Sequence, residues 1–546
     1  MRVRGISDSF IINHLFMSPV EVRQIDPALP EALEGAKPEN LWAIFNALRQ
    51  IPRETGNEGE VVAFVAKWAQ ENGFEYAIDE AAGEGKGFGN ICVKVPGSPG
   101  CEEKPSVCLQ GHLDMVCEKP KDSGIDFTTH AIQVERDPAD SDWLRSEGKG
   151  TTLGADNGIG VAAAMAVATD PTVGHPPLEL LFTIDEEGGL NGVFGMDVER
   201  LGLGSATMIN LDTEEFAELY IKTAGGQDVS GTMPVERIAS EEVPEGKYLE
   251  ISIDKMAGGH SGVYIHENRG NVILAMREFL QSLVEQYGDA VQLVSFNGGT
   301  RRNVIPSSAS AVIFVSKEEL VGAVEEQARS FEEVLRGRYK FDPGDPIVVK
   351  AEVTNRSSIE VNAVRQETRD KVLNVLGEVG GLSGVVENDP NIPGLVQTSM
   401  NTATIRTFGD AWQLGLNIRS SVDERLEAHT GLARQALERG GMEAAVSGRY
   451  PGWSADADSE LVRRAAEACD EPTKVKGIHA GLETGFLVNA VGAKIGQTVQ
   501  AVSMGPTIKD PHSVDERVHI PSVEKFYRQL GRLMGMYAVQ AWPSGR

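Results

Sequence analysis

Apolar residues first recur at helical spacing near Asn40. A second amphipathic stretch, from about Glu58 to Asn72, sets Val61, Val62, Phe64, Val65 and Trp68 on one side and stops at Gly73. The pattern then changes to short apolar runs alternating with helical segments. Strands are predicted over Ser106 to Met115, Leu178 to Ile184 and Thr207 to Leu211, and an alanine-rich helix over Gly158 to Thr169, stopped by Pro171. Runs of this kind imply an α/β sheet covered by helices on both faces.

Past about Thr223 the alternation becomes that of half-buried strands. Tyr248 to Ile253, Ala309 to Val315 and Gln413 to Ile418 interleave with long charged helices over Asn271 to Gln286, Lys317 to Arg336 and Glu424 to Glu438. This predicts a smaller α+β domain inserted into the first. The α/β character returns after Trp453 and closes with a helix from about Val523 to Ala541. The expected layout is an N-terminal extension over 1–37, a catalytic domain in two parts (38–223 and 453–546), and an inserted lid and dimerisation domain over 224–452.

The 546 residues carry 80 acidic and 51 basic side chains, a formal net charge of −29. Such a field repels phosphate backbones, so nucleic acid is excluded as a partner, and the charge reads as a solvated surface. Five cysteines, odd in number and without CxxC spacing, argue against a disulfide framework and against a thiolate zinc site. No apolar run reaches the length of a membrane span and no signal-peptide pattern precedes the fold, so a cytoplasmic location is expected. Gly83, Gly85, Gly87 and Gly89 mimic a phosphate loop, but a strand follows them and GK[ST] is absent.

The chemistry gathers at strand ends. Gln110-Gly-His-Leu-Asp-Met115 places His112 and Asp114 two apart on a strand, pointing to one side. His112 can ligate a metal while Asp114 orients it. Asp156 sits in a glycine-bracketed turn before the alanine-rich helix; an N-cap would explain the aspartate, but not the glycines around it. Asp185-Glu-Glu187 ends another strand, and adjacent acids repel unless cations bind. Glu186 and Glu187 face opposite ways, so one can ligate while the other serves as base. Asp212 follows a third strand, and His512 lies in a proline-constrained loop before the last helix. Singly, each has a plain structural reading. Together they bring two histidines and several carboxylates to one edge of one sheet, a set suited to zinc, manganese or cobalt and sufficient for two ions bridged by one carboxylate. No GxSxG elbow and no HExxH motif is present.

GHLDMV, TTLGADNGIG, INLDTEE, GGHSG, FNGGTRRNVIP, IHAGLE and GPTIKDPHS, in this order, resemble the aminoacylhistidine dipeptidases, also called Xaa-His or cytosolic non-specific dipeptidases. These belong to the di-zinc peptidases that include carnosinase, tripeptidase T and carboxypeptidase G. The likeness runs from about Pro38 to the C-terminus. It implies that Asp156 bridges two divalent metal ions, that His112 and Asp212 complete one site, and that Glu187 and His512 complete the other. It further implies Glu186 as general base, Asp114 as the partner of His112, His260 as a lid histidine at the reacting oxygen, and Asn303 and Arg419 as holders of the substrate's C-terminal carboxylate. His479 and Glu483 carry a lesser case. The implied activity is hydrolysis of small peptides, of the Xaa-His or β-Ala-His type or of broad dipeptides, by a homodimer formed through the lid. An N-acyl amino acid deacylase on the same scaffold is the alternative, and a non-catalytic peptide-binding protein a distant one.

Overall fold

The computed structural model describes residues 22–539 except 81, 84, 85, 121, 240–244 and 355–361. They form two compact units: unit 1 runs to Ile221 and includes Ala455–Val475 and the chain from Phe486, while unit 2 comprises Lys222–Ser454 and Lys476–Gly485. The stretch Lys476–Gly485, placed by the sequence pattern with the second part of the catalytic domain, thus belongs to unit 2. No helix among the described residues is long and apolar enough to cross a membrane.

Unit 1 is built on a mixed sheet. Its four central strands, Leu178–Thr183, Val107–His112, Thr207–Asn210 and Gln500–Ser503, lie side by side in that order and run parallel. Asn90–Val95 and Glu75–Asp79 extend one edge antiparallel, and Glu218–Thr223 flanks the other. The first two central strands are buried along their whole length, in keeping with their mostly apolar sequences. Because the four are parallel, their C-terminal ends share one edge, where open α/β sheets carry their sites.

Beneath that edge runs a line of polar side chains. Gln110 donates to Thr183 Oγ1 (3.3 Å), Asn210 donates to Gln110 Oε1 (2.6 Å), Ser503 bonds to Asn210, and Thr213 meets Ser503 at 2.7 Å. Each buried bond contributes about 1 kcal/mol, but an unmatched group costs about 1–3 kcal/mol. The line therefore fixes register, since a slip by one residue would turn every ligand to the opposite face.

The helix Ala155–Thr169 is buried along all but its last residue. It packs against the helices Glu39–Leu48 and Ile520–Val539 and against the strand Val107–His112. Its small residues allow the approach: a Cβ on Gly160 would stand 2.3 Å from the carbonyl oxygen of Leu211. Of the N-terminal extension, residues 1–21 lie outside the described residues. Those that follow join unit 1, with Arg23 bound to Glu60, Asn46 donating to the carbonyls of Asp26 and Ala28, and Leu33 fully buried.

Unit 2 is an α+β body around a nine-stranded sheet whose main path is Val348–Thr354, Lys247–Asp254, Ala309–Val315, Val291–Gly298, Val396–Phe408, Ala411–Ser420, Gly225–Pro234 and Glu443–Tyr450, with Gly384–Asn388 beside the fifth. Neighbours pair antiparallel. The helices Val272–Tyr287, Leu320–Arg338, Gln366–Leu382 and Asp423–Arg439 share its core, which holds Phe279, Phe296 and Trp412.

Candidate metal centre and lid residues

Five side chains converge at the C-terminal edge of the unit 1 sheet. His112 ends its strand; Glu187, Asp212 and His512 lie in the segments after three others, and Asp156 in the irregular first turn of the buried helix. His112 Nε2 stands 3.2 Å from Asp156 Oδ1 and 3.3 Å from Asp212 Oδ1. His512 Nε2 stands 3.1 Å from Asp156 Oδ2 and 2.8 Å from Glu187 Oε1. Asp156 thus turns one oxygen to each imidazole. Two three-residue groups result, His112–Asp156–Asp212 and Asp156–Glu187–His512, each with its donor atoms within 4.8 Å of one another, and Glu186 joins His112 and Glu187 in a third.

Asp114 organises this cluster from below. It is fully buried, its Oδ1 lies 3.4 Å from His112 Nδ1, and the same nitrogen is 3.2 Å from its backbone oxygen. The two carboxylate oxygens accept the backbone N–H groups of Glu186 and Glu187 respectively, each at 3.1 Å, and Thr55 Oγ1 donates to Oδ2 at 2.9 Å. One carboxylate therefore sets the His112 ring, leaving Nε2 toward the acids, and both members of the Glu186–Glu187 pair.

Burial and mutual repulsion shift the titration of these groups. Burial, then the Asp156 charge, lifts Glu187 to about 7 despite His512. Burial also lifts Asp212 to about 6, against the pull of His112. Glu214, which the sequence pattern does not single out, is driven to about 9 by burial and by the Asp156 and Asp212 charges. Burial resists a charge on His512, yet Asp156 and Glu187 outweigh it and hold the ring at about 11. His112 is likewise held well above the usual imidazole range, with Asp212, Asp114 and Asp156 overcoming burial.

His260, Asn303 and Arg419 all fall in unit 2. His260 pairs with Val304 across a short two-stranded ladder, and Ser261 N–H donates to the Asn303 carbonyl at 2.8 Å. Asn401 ties this turn to the main sheet by donating to the Val304 carbonyl. His260 Nδ1 accepts the N–H groups of Gly262 and Val263, so the neutral ring carries its proton on Nε2. Arg419 is buried on the strand Ala411–Ser420 and donates Nη1 to Tyr450 Oη at 2.5 Å. Beside it His479 bonds through Nε2 to Ser399 at 2.7 Å; burial, then the Arg419 and His260 charges, push its pKa down to about 3. Arg419 Nε is buried with no hydrogen-bond partner among the described residues.

A mixed α/β unit with this edge of acids and imidazoles, joined in one chain to an antiparallel unit, has the makeup of a metallopeptidase. Residues 251–342 match the family described as a peptidase dimerisation domain. Over 507 residues the chain is 34% identical to the cytosol non-specific dipeptidase of Escherichia coli (strain K12), covering 92% of this chain and 98% of that one. The crystal structure of aminoacylhistidine dipeptidase from Vibrio alginolyticus superposes with a TM-score of 0.73 at 32% identity, over 93% of this chain and 98% of the other. Aminopeptidase PepT from Bacillus cereus shares the fold, with a TM-score of 0.51 at 15% identity over 92% of this chain and 99% of that one. The chain belongs to the family of the cytosol non-specific, or aminoacylhistidine, dipeptidases.

Proposed function

We propose that this chain is a metal-dependent dipeptidase of the cytosol, working as a homodimer assembled through unit 2, and that it hydrolyses the single peptide bond of small peptides. The observation that carries this reading is the position of Asp156 between His112 and His512, one oxygen to each, with Asp212 and Glu187 completing the two groups. The residues suit two divalent ions: five nitrogen and oxygen donors converge, no thiolate is among them, and the buried acids repel one another unless cations intervene. Zinc fits such a set, as do manganese and cobalt.

His112, Asp156 and Asp212 would hold one ion, and Asp156, Glu187 and His512 the other. Bound there, the ions supply a water whose pKa falls from ~16 toward ~7 and a positive field for the peptide carbonyl. Glu186, its backbone fixed by Asp114, takes the proton of the attacking water and returns it to the leaving amine. His260, with its proton on Nε2, donates to the carbonyl oxygen as charge develops there. Arg419 and Asn303 receive the substrate's C-terminal carboxylate. The buried Arg419 Nε, without a partner among the described residues, supports an anion at this point, because such donors ordinarily have partners.

The test is hydrolysis of a dipeptide panel that includes β-Ala-His, and of N-acetyl amino acids, by metal-stripped protein with and without zinc or manganese. Dipeptide cleavage restored by metal and absent from Glu186→Ala is the expected result. Turnover of N-acetyl amino acids alone would replace the dipeptidase reading with a deacylase, and the absence of any cleavage would remove the catalytic assignment.

A further inference from the structure

The helical span Ala155–Thr169 has Gly154 at its cap position with no side-chain cap bond, and Asp156 and Asn157 depart from helical geometry within its first turn. The orphan N–H groups are taken instead by a residue some 360 positions away in sequence. Glu516 accepts Leu153 N–H (2.7 Å) and Gly154 N–H (2.9 Å) on Oε2, and Ala155 N–H (2.8 Å) and Asp156 N–H (3.2 Å) on Oε1. Capping is a common use of an aspartate beside the start of a helix. With Glu516 in that role, the Asp156 carboxylate is released to face His112 and His512.

A cation grips the same turn from the carbonyl side. Arg53 is buried, donates Nη2 to the Gly154 carbonyl, and donates Nη1 to the carbonyls of Leu113 and Asp114, each at 3.0 Å. The glycines around Asp156 make room for it: a Cβ would stand 2.4 Å from Arg53 Nη2 at Gly154, where φ is +72°, and 2.8 Å from it at Gly158. Arg53 therefore ties the Asp156 turn to the end of the His112 strand. Glu516 ties it to the segment of His512, which lies four residues earlier in the chain. Neither side chain belongs to the acid and imidazole groups able to hold an ion.

We propose that Glu516 and Arg53 are positioning residues of the metal centre, clamping the Asp156 turn between a buried anion on its N–H groups and a buried cation on its carbonyl so that Asp156 can serve both ions at once. This inference rests on the two-ion reading above. The glutamate takes over the helix cap and thereby separates the cap from the ligand. The arginine and the glutamate together fix the distance from Asp156 to each histidine.

The experiment is zinc titration of metal-stripped, full-length protein by calorimetry, beside circular dichroism and thermal melting of the same samples, for wild type, E516Q, E516D and R53K. Glutamine turns an NH2 toward one pair of N–H groups. E516Q should bind zinc roughly 10–100-fold more weakly, as when the partners of metal ligands are lost. Its circular dichroism spectrum should match wild type, kcat should fall and KM should hold. E516D, which keeps the charge, should recover part of the zinc affinity. Wild-type zinc affinity in E516Q, even with a lowered melting temperature, would overturn the proposal by reducing the clamp to a fold-stabilising contact. Should E516Q not fold, wild-type affinity in both E516D and R53K would overturn it equally. Wild-type protein that takes up no zinc would instead overturn the two-ion reading, and the clamp's role with it.

Discussion

Replacing Asp114 by asparagine separates the orientation of the proposed metal ligands from their chemistry. The substitution keeps shape and volume but converts one carboxylate oxygen to an NH2. If that nitrogen takes the Oδ1 position, it opposes Glu186 N–H and faces His112 Nδ1; if it takes Oδ2, it opposes Glu187 N–H while the Thr55 hydroxyl can rotate to accept. The second orientation is the cheaper one and forfeits one hydrogen bond to a charged acceptor, about 1.5–3 kcal/mol. At about 1.4 kcal/mol per decade this is roughly 10–150-fold in affinity, in line with about 10–100-fold for lost partners of metal ligands. Competition between the metal-stripped variant and a chelator should therefore show zinc held at least tenfold more weakly, with kcat/KM reduced by as much or more. D114N that keeps zinc affinity and kcat/KM within about threefold of wild type would refute the argument that this carboxylate sets the ring and the acidic pair.

Other perturbations address other parts of the molecule. Gly154→Ala forces a side chain into the left-handed region (φ +72°) and onto Arg53. The expected loss is about 1–2 kcal/mol for the backbone plus about 1.5–3 kcal/mol for the displaced Arg53 bond, read as a lower urea midpoint; an unchanged midpoint would contradict it. In the metal-free protein both imidazoles are held protonated, His512 up to about 11, so zinc uptake must expel their protons. Calorimetry in buffers of different ionisation enthalpy should report release of at least two protons, Glu187 at about 7 adding a share to those of the imidazoles, with affinity rising with pH; a proton count near zero would dismiss the assignment. For metal-free folding, the His512 contribution is fully present below its unfolded pKa near ~6.5 and is lost as pH climbs through about 11. Arg419→Lys keeps the charge but not the planar fork, so KM for dipeptides should rise roughly tenfold or more while kcat changes little; a pure kcat effect would move Arg419 out of the carboxylate-binding role.

Much of the architecture was written in local pattern. The strands leading to His112 and to the Glu186–Glu187 pair read as mostly apolar runs, because a strand buried on both faces admits few polar side chains. Two of the longest strands, Gly225–Pro234 and Val396–Phe408, were not legible, since Ser, Thr, Asn and Gly fill them and their partners supply the burial. The small sheet that joins Val134–Asp137 and Asp140–Ser146 to Ile508–Lys509 and Arg517–His519 was equally hidden, being made of short pieces from distant parts of the chain. At the centre, acids and histidines announce their chemistry by residue type, whereas Arg53 and Glu516 look like any surface charges. Only their burial among backbone groups distinguishes them, and that depends on contacts spanning 101 and 360 positions. The one available hint was the pair of glycines flanking Asp156, which a simple cap left unexplained and which the Arg53 guanidinium accounts for.

The fourth parallel strand of unit 1, Gln500–Ser503, pairs with Thr207–Asn210, and all of unit 2 is encoded between them. A ribosome therefore emits His112, Asp156, Glu187 and Asp212 long before it emits the strand that completes their sheet and the His512 that follows it. Until those two late segments emerge, the nascent chain presents an unbalanced group of acids with a single imidazole, on a sheet whose edge is still open. On the proposed two-ion reading, the second imidazole is therefore made only after unit 2, and after His260, Asn303 and Arg419.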